Sequence, residues 1–174
     1  YILSLEGFFI ILVSPFLAFI WLKLAAAKHN PSSPFKFALG LILIGISFLV
    51  ISISVLFANS SGLTSLWWVI LSFILLVIGE LFLSPTGLAM ITTLTPSKYT
   101  GMMMGVWFLS ISAGFAIGDV IEDKMNVPKT ITDLHTIGHI YSHGFWILGW
   151  SAIVIGGGLL LFSPKLYQLI KKYD

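Results

Sequence analysis

Long apolar segments separated by shorter polar connections divide the sequence. We place five of them at residues 2–24, 37–57, 66–94, 102–121 and 145–162. Each reaches or approaches the roughly 20 residues that an α-helix needs to cross the hydrocarbon of a bilayer. None shows the two-residue alternation that is typical of a membrane barrel strand. The pattern predicts an all-α, polytopic transmembrane bundle of five helices, with a long loop at 122–143 and a short basic tail after Pro164.

The composition agrees with the bilayer as the main solvent. Hydrophobic residues make up 57% of the chain and charged residues 9%, whereas soluble domains carry about 25% charged residues. The absence of cysteine excludes a disulfide framework and a thiolate metal site. The absence of arginine argues against nucleic acid as a partner. We therefore expect an integral membrane protein without cofactor or metal.

The distribution of lysines predicts the orientation. If the connections alternate sides, seven lysines share one face and two lie on the other, and the richer face is expected in the cytoplasm. This places the C-terminus in the cytoplasm, in a plasma membrane of bacterial inner-membrane type. The start at Tyr1 on the outside, with an odd helix count, suggests a piece of a longer carrier built from repeated halves. The seven lysines are Lys23, Lys28, Lys36, Lys98, Lys165, Lys171 and Lys172, and the two are Lys124 and Lys129.

An acidic residue, Glu80, lies near the middle of the third apolar segment. A carboxylate at that depth costs roughly 2.5–3.5 kcal/mol on insertion scales, so such a residue is by default a functional-site hypothesis. Ser84 and Gly87 follow it at i+4 and i+7 and extend a small, polar stripe. Pro85 removes a backbone hydrogen bond, so Pro85 and Gly87 are predicted to form a hinge. The alternative is a packing face in which Glu80 only bonds a neighbouring helix.

Two further residues are candidates for a cavity. Glu6 lies near the outer end of the first segment, where it either snorkels to the interface or lines the rim of a cavity. Trp107 lies about seven residues into the fourth segment, deeper than most interfacial tryptophans. It is a candidate pocket wall, with a lipid-facing position as the alternative. In the same segment, two Gly-x-x-x-Gly spacings at 101–105 and 114–118 are expected to pack helices.

Other chemistry receives little support. His135, His139 and His143 recur every four residues, but Gly138 and Gly144 weaken a helix there and no carboxylate completes a ligand set. Walker-type loops, dinucleotide-binding turns and nucleophile elbows do not occur in the sequence. An enzyme is therefore not expected.

Three motifs together resemble the proton-coupled oligopeptide transporters of the major facilitator superfamily. Residues 80–88 (ELFLSPTGL), 94–96 (LTP) and 101–109 (GMMMGVWFL) look like their tenth and eleventh helices. Residues 31–40 (PSSPFKFALG) look like the cytoplasmic loop into their ninth helix. The resemblance covers nearly the whole chain and implies the eighth to twelfth helices of the fold.

The resemblance also implies roles for single residues. Glu80 matches the glutamate that receives the amino terminus of a peptide and pairs with a lysine of the N-terminal half. Trp107 matches a tryptophan of the peptide pocket, and Ser84 is expected to face the same cavity. Where the family usually has Asn-Pro near the start of the eighth helix, this chain has Glu6-Gly7. Because that asparagine contacts peptide in family members, Glu6 is the residue expected to alter substrate range.

The sequence thus predicts the C-terminal part of a carrier that symports di- or tripeptides with protons by alternating access. Its expected partners are peptide, protons, the lipid bilayer and the N-terminal helix bundle of the same carrier. Two alternatives stay open: a major-facilitator carrier of another small solute, such as an anion or a drug, and a scaffold subunit that transports nothing. An anion carrier would be expected to place a cation at the midplane, where this chain has an acid.

Overall fold

A computed structural model describes residues 2–27, 31–128 and 131–173, apart from the side chains of residues 2–5, 124 and 169–173. Within these ranges the chain forms five long helices and no strand, so the all-α prediction is confirmed. Each helix contains a stretch long and apolar enough to cross a membrane. The helices are α1 (Ile2–Ala26), α2 (Ser33–Ser54), α3 (Leu66–Leu94), α4 (Thr100–Lys124) and α5 (Leu134–Tyr173), and a short 3-10 turn, Val55–Phe57, follows α2.

The last helix is much longer than predicted. It begins at Leu134 rather than 145, and it continues through Pro164 instead of ending near 162. The predicted loop at 122–143 is therefore helical in its second part. The start follows from Asp133, whose carboxylate accepts hydrogen bonds from the backbone N–H and the hydroxyl of Thr136, at 2.9 and 2.6 Å. This is an N-cap, and its hydrogen bonds hold the pKa of Asp133 below its ordinary value.

Glycine and proline residues do not interrupt α5, because neighbouring side chains pack against the glycines and a hydroxyl replaces the hydrogen bond that is lost at the proline. Gly138 lies beside Val55 and Gly144 lies beneath Met125, where a side chain would collide with the sulfur-containing group. Pro164 cannot donate to the carbonyl of Leu160, and the hydroxyl of Ser163 donates to that carbonyl at 2.9 Å instead. The sequence rule that glycine and proline break helices therefore failed at these positions.

The second helix begins at Ser33, four residues before the predicted start at 37, because Pro34 occupies its first turn. Proline is favoured there, since the first N–H groups of a helix have no partner within the helix. The third helix has the predicted bounds, Leu66–Leu94, and the fourth extends the predicted 102–121 to Thr100–Lys124.

Small residues on α2 let two other helices approach closely. Towards α5 they recur every seven residues, which is about two helical turns, and the partner positions on α5 recur with the same spacing in the opposite direction. We call this set the α2–α5 seam. Its pairs are Ala38 with Gly156, Gly45 with Gly149, and Ser52 with Ser142.

The contacts along the seam are between backbones and short side chains. A Cβ atom added to Gly45 would lie 2.7 Å from the carbonyl oxygen of Gly149. The serine pair bonds reciprocally: Ser52 donates to the carbonyl of Ser142 at 2.8 Å, and Ser142 donates to that of Ser52 at 2.9 Å. In hydrocarbon such close packing and interhelical hydrogen bonds replace the hydrophobic effect as the force between helices.

A second set of small residues faces α3. Gly40 lies against Gly79, and seven residues further on the hydroxyl of Ser72 donates to the carbonyl of Ser47 at 3.0 Å. The helix α2 is thus the centre of the bundle, with α3 and α5 antiparallel to it on two sides. The two Gly-x-x-x-Gly spacings of α4 were expected to pack against another helix. A Cβ atom added at any of these glycines would instead meet nothing within 4 Å among the described residues; they are Gly101, Gly105, Gly114 and Gly118.

Candidate substrate site

The acidic residue of α3 meets the acidic residue of α1. Glu80 is half-buried, and its carboxyl group lies close enough to that of Glu6 for the two charges to interact. The contact follows from the packing of α1 against α3, which also stacks Trp21 edge-to-face on Phe82 with ring centres 5.0 Å apart. From the sequence, Glu6 was expected either to snorkel to the interface or to line the rim of a cavity; the structure places it beside Glu80, and its part in substrate binding stays a prediction.

A pair of carboxyl groups in contact has a definite chemistry. Two ionised carboxylates repel each other, so a cation between them is attracted by both. A substrate ammonium offers both positive charge and hydrogen-bond donors. The Glu6–Glu80 pair is therefore able to hold an amine.

The predicted stripe on α3 divides between two environments. Ser84, one turn from Glu80, is exposed, and so is Pro85. Gly87, two turns from Glu80, is buried. The helix continues through Pro85 to Leu94, and the hinge role of Pro85 and Gly87 stays a prediction.

The indole of Trp107 lies over Gly87. A Cβ atom at Gly87 would overlap the ring, so the missing side chain makes the room that Trp107 occupies. The ring also makes an edge-to-face contact with Phe37, with centres 6.4 Å apart. It forms one wall of a cavity of about 440 Å³ that is lined almost entirely by apolar side chains.

The structure therefore gives α3 two clusters rather than one. Glu6 joins Glu80, while Trp107 joins Gly87 two turns further along. Phe37 was not singled out from the sequence, and nothing in its apolar surroundings distinguishes it from other phenylalanines of the chain. Gly87 carried a signal, since a glycine inside a membrane helix often marks a close approach by a neighbouring group.

The histidines lie at the opposite end of the bundle. One ring nitrogen of His135 is 3.3 Å from the carbonyl oxygen of Ser60, which links the start of α5 to the connection before α3. His139 and His143 are exposed on the same helical face. Among the described residues, His, Asp and Glu side chains nowhere gather in a group of three that is able to hold a metal ion.

Comparison with known proteins decides the family. The family model described as "POT family" matches residues 2–141. The chain belongs to the POT family. Dipeptide and tripeptide permease A of Serratia proteamaculans is 39% identical over 166 residues, covering 95% of this chain and 32% of the relative. The permease of the same name from Yersinia pestis is 40% identical over 167 residues, covering 95% and 33%.

Solved structures of the POT family share the fold. A crystal structure of peptide transporter POT in complex with sulfate superposes with a TM-score of 0.79 at 36% identity, covering 95% of this chain and 31% of that one. A POT family transporter in complex with a thioalcohol-conjugated peptide gives a TM-score of 0.74 at 36% identity, covering 93% and 30%. The five helices thus have the major-facilitator fold of these POT family structures. The chain spans about a third of the length of these relatives.

Proposed function

We propose that the chain forms the C-terminal substrate-binding part of a carrier that moves di- and tripeptides together with protons by alternating access. The observation that carries this proposal is the close approach of Glu6 of α1 to the half-buried Glu80 of α3, within the membrane spans. The relatives described as dipeptide and tripeptide permeases support the substrate class. The helices that would complete the carrier, and that would supply a cationic partner for Glu80, belong to the part of the relatives that this chain does not span.

The proposed cycle carries a peptide and a proton inward together: the peptide ammonium binds Glu80 while another acidic group of the full-length carrier takes up the proton, and both are released inside. In the absence of substrate, Glu80 pairs with a cation of the carrier, and the empty carrier returns in that state. Binding of a peptide places its ammonium against Glu80, Ser84 offers a hydroxyl one turn away, and Trp107 covers an apolar side chain. Since each occupant favours the conformation in which it binds best, exchange at Glu80 biases the equilibrium between the inward-open and outward-open states.

Glu6 is expected to set the preference for charge. A second carboxyl group beside Glu80 favours a peptide that brings a second positive charge, so the variant Glu6→Asn should lose part of its preference for lysine-containing over neutral dipeptides. A solvent-accessible ion pair contributes up to about 1 kcal/mol to binding. We therefore expect the ratio of half-inhibitory concentrations of the neutral and the lysine-containing dipeptides to change by about five-fold. The measurement is competition against uptake of a labelled neutral dipeptide, with transport itself retained.

The matched control is Glu122→Gln, which removes an acid from the exposed end of α4. Its competition profile should overlay that of the parent. If the Glu6→Asn profile also overlays the parent profile, Glu6 has no part in recognising the substrate.

The orientation gives a separate test. We propose a bacterial plasma membrane with the C-terminus in the cytoplasm. Ser61 and Ser97 are exposed in the connections before and after α3, so a single cysteine introduced at either position, in a full-length carrier from which any other cysteines have been removed, reports that position. In intact cells an impermeant maleimide should label Ser61→Cys, and it should label Ser97→Cys only after the membrane is opened. The reverse pattern would invert the topology.

A further inference from the structure

An apolar groove lies between α1 and α2. Both helices pack on α3, and the space between them has a volume of about 600 Å³. Every side chain that lines it is apolar. The lining includes Phe16 and Ile20 of α1, Phe35 and Leu39 of α2, and Ile78 and Phe82 of α3.

A second, more polar cavity adjoins this groove. It has a volume of about 400 Å³ and is lined by Ser33 and Lys36 at the start of α2, by Ser14 of α1, and by Thr86 of α3. Trp21 and Leu17 line both cavities, so the two spaces share a wall. The ammonium of Lys36 lies 4.2 Å from the centre of the Trp21 ring, which holds the cation at this wall.

Lysine near the end of a membrane helix normally snorkels, with its charge in water beyond the helix. Lys36 is instead half-buried within the first turn of α2, and it lines a cavity together with three hydroxyl-bearing side chains. A cation with neighbouring hydroxyl donors suits a phosphate group, and basic pockets between membrane helices are where anionic lipid head groups bind. The adjoining groove has the apolar character of an acyl chain. A ligand that carries both an anionic phosphate and an acyl chain would fit the polar cavity and the apolar groove together.

We propose that the α1–α2 groove and the Lys36 cavity together bind one anionic phospholipid, its phosphate at Lys36 and one acyl chain along the groove. The site is separate from the acidic pair, and the proposal does not depend on which solute the carrier moves. It does place a lipid head group against Leu81 and Pro85, which line the same cavity. A bound lipid therefore contacts α3 next to its proline.

The test is lipid retention by the full-length protein, purified in a neutral detergent and titrated with phosphatidylglycerol or phosphatidylcholine before native mass spectrometry. We expect one retained phosphatidylglycerol, with Lys36→Gln weakening its apparent affinity by about five-fold, the typical effect of one basic residue at an anionic surface. Lys36→Arg should keep the parent affinity, because it keeps the charge. Phosphatidylcholine, whose head group is neutral overall, should bind more weakly than phosphatidylglycerol in the parent.

Two further variants keep the test decisive. Lys23→Gln is the matched control, since Lys23 is exposed near the end of α1, over the ring of Phe19, and lines neither cavity. Its affinity should equal that of the parent. Leu39→Trp should fill the groove and reduce retention without changing any charge. Equal retention by the parent and Lys36→Gln would overturn the proposal, and so would displacement of the lipid by millimolar inorganic phosphate, which would indicate a site for free phosphate.

Discussion

Replacement of Glu80 by glutamine should abolish proton-driven uptake and weaken the binding of peptides that have a free amino terminus. Glutamine keeps the size and the hydrogen-bonding capacity of the side chain but cannot ionise, so it separates electrostatics from packing. A hydrogen bond to a charged group contributes roughly 1.5–3 kcal/mol, so the affinity should fall about ten-fold or more. The measurement is competition by free-amine dipeptides, together with uptake driven by an inward proton gradient.

N-acetylated dipeptides provide the control, since they lack the ammonium that Glu80 is proposed to hold. Their affinity should change much less than that of the free-amine peptides. Size-exclusion profiles should show that the variant inserts and folds normally. Uptake by Glu80→Gln with the pH dependence of the parent would mean that Glu80 serves only to hold helices together.

Replacement of Gly45 by leucine should disrupt the α2–α5 seam. Its Cβ atom would lie 2.7 Å from both the carbonyl oxygen of Gly149 and a side-chain carbon of Ile153. The backbone cannot move aside as a flexible side chain would, so the helices must separate. Overpacking costs about 1–3 kcal/mol in general, and the loss of the adjacent serine pair adds to that cost. We expect a clear fall in the midpoint of thermal unfolding in detergent.

Gly157 offers the matched control on the facing helix. A Cβ atom there meets nothing within 4 Å among the described residues, although the neighbouring Gly156 lies against the carbonyl of Ala38. Gly157→Leu should therefore unfold at nearly the same temperature as the parent. Equal midpoints for the Gly45 and Gly157 variants would show that the seam does not limit the stability of the bundle.

The fold was largely predictable because length and apolar character alone identify a membrane helix. The bounds of α3 were predicted correctly, since polar residues flank a segment without internal polar runs. The length of α5 was not predicted. Its start depends on an Asp133 cap that was overlooked, and its course through Pro164 depends on a hydroxyl of the preceding residue. Rules that assign the ends of helices from glycine and proline alone do not account for these hydrogen bonds.

The site was predictable only in part. The cost of burying a carboxylate made Glu80 a candidate without any knowledge of its neighbours, and its role stays a prediction. The contact with Glu6 depends on how α1 crosses α3, and the position of Trp107 depends on the space above Gly87. Both are properties of helix packing between segments far apart in sequence, which periodicity within one helix does not encode.

The central claim is tested most directly by uptake of a labelled dipeptide into liposomes that contain the purified full-length protein. The account predicts accumulation when the outside is acidic, loss of accumulation on adding a protonophore, and competition by unlabelled di- and tripeptides but not by free amino acids. Accumulation that is insensitive to both the proton gradient and the protonophore would contradict proton coupling, and a protein that takes up no peptide under any gradient would contradict the proposed function itself.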